Sequence, residues 1–404
     1  MNPTQAITEP RITSTKVRIT SIDFLRGTIM IIMALDHVRD YLFFGSFYFD
    51  PLDLTKTSGA LFFTRWITHF CAPIFLLLAG TSAYLIGQKK TKKELSIFLV
   101  KRGIWLILLE MIVTNFGWNF NITFPMFFFI TIWALGLGMI ILAGLIYLPK
   151  RVILALSLVV IFGHNLLDGI HFPPNTLAEF GWSLVHEQQF FMWHNEVLLV
   201  GYPIVPLFAV MSLGYCLGEL YTSGYDAERR KKILITLGGA ALILFIVLRW
   251  INVYGDPVKW SAQKDGFFTL LSFINVNKYP FSLLYVLLTI GSALLFLGFT
   301  ERLQNGVVKM VSVYGRVPMF YYLIHIYVIH LIALIASAVT TGQDWHIWLL
   351  KQPVWFTTDL KGYGFSLPVS YLVWIAIVVG LYPLCKRYDR YKQSNKDKWW
   401  LSYL

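Results

Sequence analysis

Residues 20–40 read TSIDFLRGTIMIIMALDHVRD, and this stretch decides the fold class. Arg26 opens a long apolar run that ends in Asp36, His37, Arg39 and Asp40. At about 1.5 Å of rise per helical residue, Arg26 and His37 lie roughly 16 Å apart along one helix. A segment that is apolar between charged ends reads as a membrane helix. Ionisable side chains inside a bilayer are costly, and a cluster of them marks a functional site. Four such residues in five positions exceed what anchoring at an interface needs.

The rest of the chain agrees with that reading. Of its 404 residues, 56% are hydrophobic, 17% aromatic and 14% charged, where a soluble domain carries nearer a quarter charged residues. Apolar segments of about membrane length fall near 22–42, 66–87, 103–122, 125–148, 152–167, 201–221, 233–253, 281–299, 317–339 and 367–385. The expected fold is therefore all-α, a polytopic bundle of about ten transmembrane helices over residues 21–386. Tails at 1–20 and 387–404 flank it. No small-residue cleavage site follows a short apolar core near the start, so the first helix is expected to stay as an anchor.

A formal charge of +12 would suggest nucleic acid in a soluble protein, but its distribution excludes that partner. Of the 34 Lys and Arg, 25 fall on the side of the termini, in short loops such as QKKTKKE (88–94) and ERRKK (228–232). The positive-inside rule then places both termini in the cytoplasm. The opposite loops, 43–65, 168–200, 254–280 and 340–366, are longer and rich in aromatic residues. Long loops in compact proteins are often binding surfaces, and FGWSLVHEQQFFMWHNE (180–196) reads as an ordered segment on the membrane face. PIFLLLAGTSAYL (73–85) and PLFAVMSLGYCLG (206–218) share a Pro, a Phe and small residues, as helix interfaces do. The cysteines Cys71, Cys216 and Cys385 lie at no metal-binding spacing, and their odd number argues against a disulfide framework. No metal is expected.

Depth sorts the candidate site residues. His37 lies in the outward half of the first helix and His69 at the outer start of the second. His164 ends a helix in HNLLD and reads as a cap. His325 and Glu110 count nearer the cytoplasmic half, and His325 and His330, five apart, share no helix face well enough for a metal pair. Within the first helix, His37 with Asp40 and Asp36 with Arg39 are three apart and share faces. The expected arrangement has Asp40 orienting His37 as a general base, with Asp36 partly neutralised by Arg39. Arg26, Arg102 and Arg316 sit at cytoplasmic helix ends. Arg26 precedes Gly27, where a backbone or a ligand can approach closely.

SIDFLRG (21–27) and CAPIFLLLAGTSAYL (71–85) resemble the heparan-alpha-glucosaminide N-acetyltransferase family and its bacterial relatives. YPIVPLFAVMSLGYCLGELY (202–221), KYPFSLLYVLLTIGSALLFL (278–297) and YGRVPMFYYLIHIYVIHL (314–331) follow in the family's order, and the resemblance covers most of residues 16–340. The spacing from Arg26 to His37 is also similar to that in the first helix of the family-three membrane O-acyltransferases. The resemblance implies transfer of an acyl group, acetyl in the first place, from cytoplasmic acyl-CoA to a sugar amine or hydroxyl beyond the membrane. Arg26 would face CoA and His37 would be the catalytic histidine. Lysosomal members carry their essential histidine after the first helix, where FFGSFYFDPLDL (43–54) has none, so His37 or His69 takes that place. The resemblance also implies a bacterial inner-membrane enzyme and a homodimer. The competing class is a proton-coupled transporter or flippase with Asp36, His37 and Asp40 as a relay.

Overall fold

The computed structural model describes residues 19–193 and 196–402. The expected N-terminal tail therefore lies, but for its last two residues, outside the described part. Helices dominate: α1 (Thr20–Leu42), α2 (Gly59–Trp66), α3 (Cys71–Gly87), α4 (Lys92–Leu109), α5 (Asn115–Asn119), α6 (Thr131–Leu145), α7 (Lys150–Gly163) and α8 (Leu177–Val185) come first. They are followed by α9 (Ile204–Leu217), α10 (Ala227–Ile251), α11 (Gly266–Ile274), α12 (Leu283–Thr300), α13 (Gly306–Arg316), α14 (Pro318–Thr341) and α15 (Leu367–Ser394).

Among the described residues seven spans are long and apolar enough to cross a membrane: 59–87, 150–167, 204–221, 227–251, 283–300, 318–341 and 367–394. The protein is a multi-pass membrane protein. The other three expected segments take different forms. The charges of α1 lower its hydropathy, α4 passes through a π-helical turn at Glu110–Thr114 into α5, and α6 has only 15 residues. Its expected first turns are instead the strand β1 (Met126–Phe129). That strand pairs in parallel with β3 (Glu196–Val200), which pairs antiparallel with β2 (Gln189–Trp193). At the C-terminus, α15 runs eight residues past the expected boundary at 386.

The bundle has two distinguishable faces. On one, Glu301 at the end of α12 is ion-paired with Arg230 at the start of α10 and accepts a hydrogen bond from Ser21 of α1. Arg316 at the end of α13 pairs with Asp389 of α15 at 2.7 Å. This is the basic face, where the Lys- and Arg-rich loops lie. On the other, Phe365, just before α15, bridges backbone to backbone with Leu42 and Phe44 at the end of α1. This is the loop face, which carries the small sheet.

Glycines set the closest helix crossings. A Cβ on Gly27 would meet the Val311 carbonyl oxygen at 2.1 Å, and one on Gly315 would meet that of Asp23 at 1.9 Å. The close approach expected at Gly27 is therefore made by the backbone of α13. Gly80 of α3 and Gly214 of α9 bring their helices together in the same way, with Thr81 Oγ1 donating to the Gly214 carbonyl at 3.0 Å. The two segments that share a Pro, a Phe and small residues thus pack against each other.

Candidate active site

The C-terminal turns of α1 line a cavity of about 600 Å³ that opens on the loop face. Its floor carries Asp36, His37, Arg39 and Asp40, and its wall includes Arg65 from α2 and Lys278 from the loop before α12. Phe128 of β1, Phe190 of β2 and Leu199 of β3 close another side, so the sheet shapes the cavity. Apolar and aromatic walls around a few converging polar groups are typical of a small-molecule site.

The charges here largely satisfy one another. Arg39, buried at 2% exposure, lies 2.5 Å from Asp36 Oδ1 and 2.5 Å from Asp40 Oδ1. Arg65 reaches Asp36 Oδ2 at 3.1 Å and donates to Thr68 Oγ1 at 3.0 Å. The pairing of Asp36 with Arg39 agrees with the sequence reading. The orienting of His37 by Asp40 does not, because that carboxylate is turned to Arg39. The geometry is that of adjacent residues clamped side by side, and it leaves His37 free to face a different helix.

That helix is α14. His37 Nδ1 lies 2.8 Å from His325 Nε2, with the rings stacked at 4.9 Å between centroids. His325 Nδ1 lies 3.0 Å from the Tyr321 carbonyl oxygen. A carbonyl only accepts, so that nitrogen carries the proton and His325 Nε2 presents a lone pair. His37 Nδ1 must then donate, which leaves the lone pair of the neutral ring on Nε2. Among the described residues no partner is bonded to Nε2, and His37 borders the cavity. Trp118 packs edge-on against the ring at 4.8 Å and fixes its plane.

Counting along the sequence placed His325 too near the cytoplasmic side. The reason is α13, which packs on the first turns of α1 through Gly27 and Gly315. Gly315 at its end accepts a hydrogen bond from Arg26 Nη1 at 3.1 Å, so α14 begins beside Arg26 rather than level with Thr20. His330, one turn on, is committed elsewhere: its nitrogens face the carbonyls of Gly117 and Trp348, each at 3.1 Å.

His69 is not at the cavity. It lies in the 3-10 turn Ile67–Phe70 between α2 and α3, fully buried, with its ring against Tyr285 at 5.5 Å. Among the described residues neither of its ring nitrogens has a hydrogen-bond partner. Glu110 caps the start of α6, with Oε2 accepting from the backbone N–H groups of Ile132 at 2.7 Å and Trp133 at 3.1 Å.

Of the three arginines expected at the donor end, Arg26 and Arg316 meet at the junction of α1 and α13. Arg26 Nη2 also donates to Ser82 Oγ of α3 at 3.1 Å. Arg316 grips Asp389 through Nε at 2.8 Å and Nη2 at 2.7 Å. Arg102 is half-buried in α4. Sequence reading missed Arg65, Lys278 and His325 as members of the site. Only tertiary packing brings them to α1, although FTRW (63–66) and NKYP (277–280) each place a lone cation beside aromatic residues at a helix end.

No curated protein gives a significant sequence match to the chain. Residues 18–249 match the family model described as heparan-alpha-glucosaminide N-acetyltransferase, catalytic. The match takes in more than half of the chain, including Arg26, the Asp36–Asp40 cluster, Arg65 and His69, while Lys278 and His325 lie beyond it. On this sequence match and its membrane-spanning helices, the chain belongs to the heparan-alpha-glucosaminide N-acetyltransferase catalytic-domain family.

Proposed function

We propose that the protein transfers an acyl group, acetyl by family, from cytoplasmic acyl-CoA to an amine or hydroxyl of a saccharide at the loop face. The observation that carries this reading is the His37–His325 pair, which turns the basic Nε2 of His37 toward a cavity walled by aromatic residues. The acceptor gives its proton to His37 Nε2 as its nitrogen or oxygen attacks the thioester carbonyl. The tetrahedral intermediate collapses with cleavage of the C–S bond, and the departing CoA sulfur takes the proton from His37. His325 is a positioning residue that holds the tautomer. Lys278 borders the same cavity and supplies a cation for the developing oxyanion.

The donor end of the reading rests on Arg26. Its guanidinium, held by Ser82 and Gly315, is a fixed fork of the kind that suits phosphate. Arg102 and Arg316 are its candidate helpers, with Arg316 requiring release from Asp389. The transporter reading is weaker because Asp36 and Asp40 are both ion-paired with arginine, which is a poor state for a proton relay.

The test is direct. Reconstituted protein is incubated with acetyl-CoA and amino or neutral sugars, and released thiol and acetylated sugar are quantified. Wild type should turn over and should be thermally stabilised by acetyl-CoA. Neither transfer nor stabilisation across such a panel would sink the reading.

A further inference from the structure

The end of α7 holds a second group of chemically capable side chains, away from the His37 cavity. His164 opens the 3-10 turn that closes α7, Asp168 follows that turn, and His186 follows the last turn of α8. One donor atom from each of the three lies within 4.8 Å of the others. His186 Nε2 is 2.9 Å from Asp168 Oδ1. Both histidines are almost wholly buried, at 3% and 2% exposure.

The hydrogen-bond inventory does not close. Among the described residues, neither nitrogen of His164 has a partner, and Nδ1 of His186 has none. Leaving a buried polar group unpaired is costly, so a histidine used only as a helix cap would not be built this way. The carboxylate, by contrast, is held from behind. Asn165 Nδ2 donates to Asp168 Oδ2 at 2.8 Å, and Asn165 Oδ1 accepts from the Leu283 backbone N–H at 2.8 Å. An outer partner that fixes a ligating carboxylate is the usual second layer of a metal site.

The geometry points to a site for one divalent transition-metal cation of the zinc class, ligated by His164, Asp168 and His186. Two imidazoles and a carboxylate suit such an ion, and three protein ligands leave the fourth tetrahedral position to water. The carboxylate would give up its contact with His186 and bond the metal. This departs from the metal-free expectation, which rested on cysteine spacing and read HNLLD as a cap. The ion would join the ends of α7 and α8 and, through Asn165, the start of α12. The chain leaves His186 directly into Gln188 and β2, which border the His37 cavity, so the metal would pin that wall.

The experiment uses the full chain, purified in detergent without chelator or affinity tag. Elemental analysis after incubation with zinc should give about one equivalent per chain. His164→Ala and His186→Ala should lose it, with Asp168→Asn retaining a reduced share. To keep the test independent of how those variants fold, the chelator-stripped wild type is also titrated with cobalt(II). It should develop the visible absorption of a four-coordinate ion at one equivalent and regain the thermal stability lost on stripping. Stripped wild type that takes up neither zinc nor cobalt overturns the proposal. So does equal stoichiometry in folded His164→Ala, and uptake of iron alone overturns the zinc-class assignment.

Discussion

The reactive character of His37 depends on one partner, His325, with which it shares a 2.8 Å contact. A positioned base contributes about 10²–10⁴-fold, so His37→Ala should lower turnover by that factor while acetyl-CoA still stabilises the protein. His325→Ala should also lose turnover, to a smaller extent. His325→Gln, whose amide oxygen can accept from Nδ1, should recover part of it, a rescue that a purely packing role would not produce. Asp40→Asn should change activity little, because that carboxylate serves Arg39. If instead Asp40→Asn is inactive and His325→Ala is not, the carboxylate is the orienter after all. The cluster from Asp36 to Asp40 was legible because its members are neighbours in sequence and share helix faces. His325 was not, being 288 residues away and brought near only by the way α13 and α14 stack on α1.

At the level of elements, the long apolar segments were readable because bilayer thickness imposes a length, and most expected boundaries fall within a few residues of the observed helices. What escaped reading obeys other rules. The 11-residue α13 buries Val308, Val311, Tyr314 and Gly315 along one face but is too short and too amphipathic to register as a membrane span. MFFF (126–129) was absorbed into a helix because it is continuously apolar, although aromatic residues suit a strand equally well. The fit of α13 on α1 is demanding. Gly315→Ala would drive a methyl group against the Asp23 carbonyl and should destabilise the protein by about 1–3 kcal/mol. Gly239→Ala, in α10 with nothing within 4 Å, should be neutral or slightly stabilising. Thermal unfolding of both variants in one detergent gives the comparison, and equal melting temperatures would refute the close-packing argument.

Across the whole molecule, chemistry and charge are divided between two faces. Arg26, Arg230, Glu301, Arg316 and Asp389 join the basic face, where α1 begins and α15 ends. The His37 cavity, the small sheet and the proposed metal ligands belong to the loop face. The start of the first helix and the end of the last therefore lie on the same side, whatever number of helices crosses between them. The charge bias then predicts that this side is the cytoplasm, because the Lys- and Arg-rich stretches 88–94 and 228–232 fall there and short basic loops resist translocation. Acyl-CoA would meet Arg26 from within the cell, and the acceptor would enter from outside. Reporter fusions at Asn175, between α7 and α8, and at Lys396, after α15, should report opposite compartments, with Lys396 cytoplasmic. The same compartment for both would break the two-faced arrangement. An external Lys396 with an internal Asn175 would preserve the fold but reverse the direction of transfer.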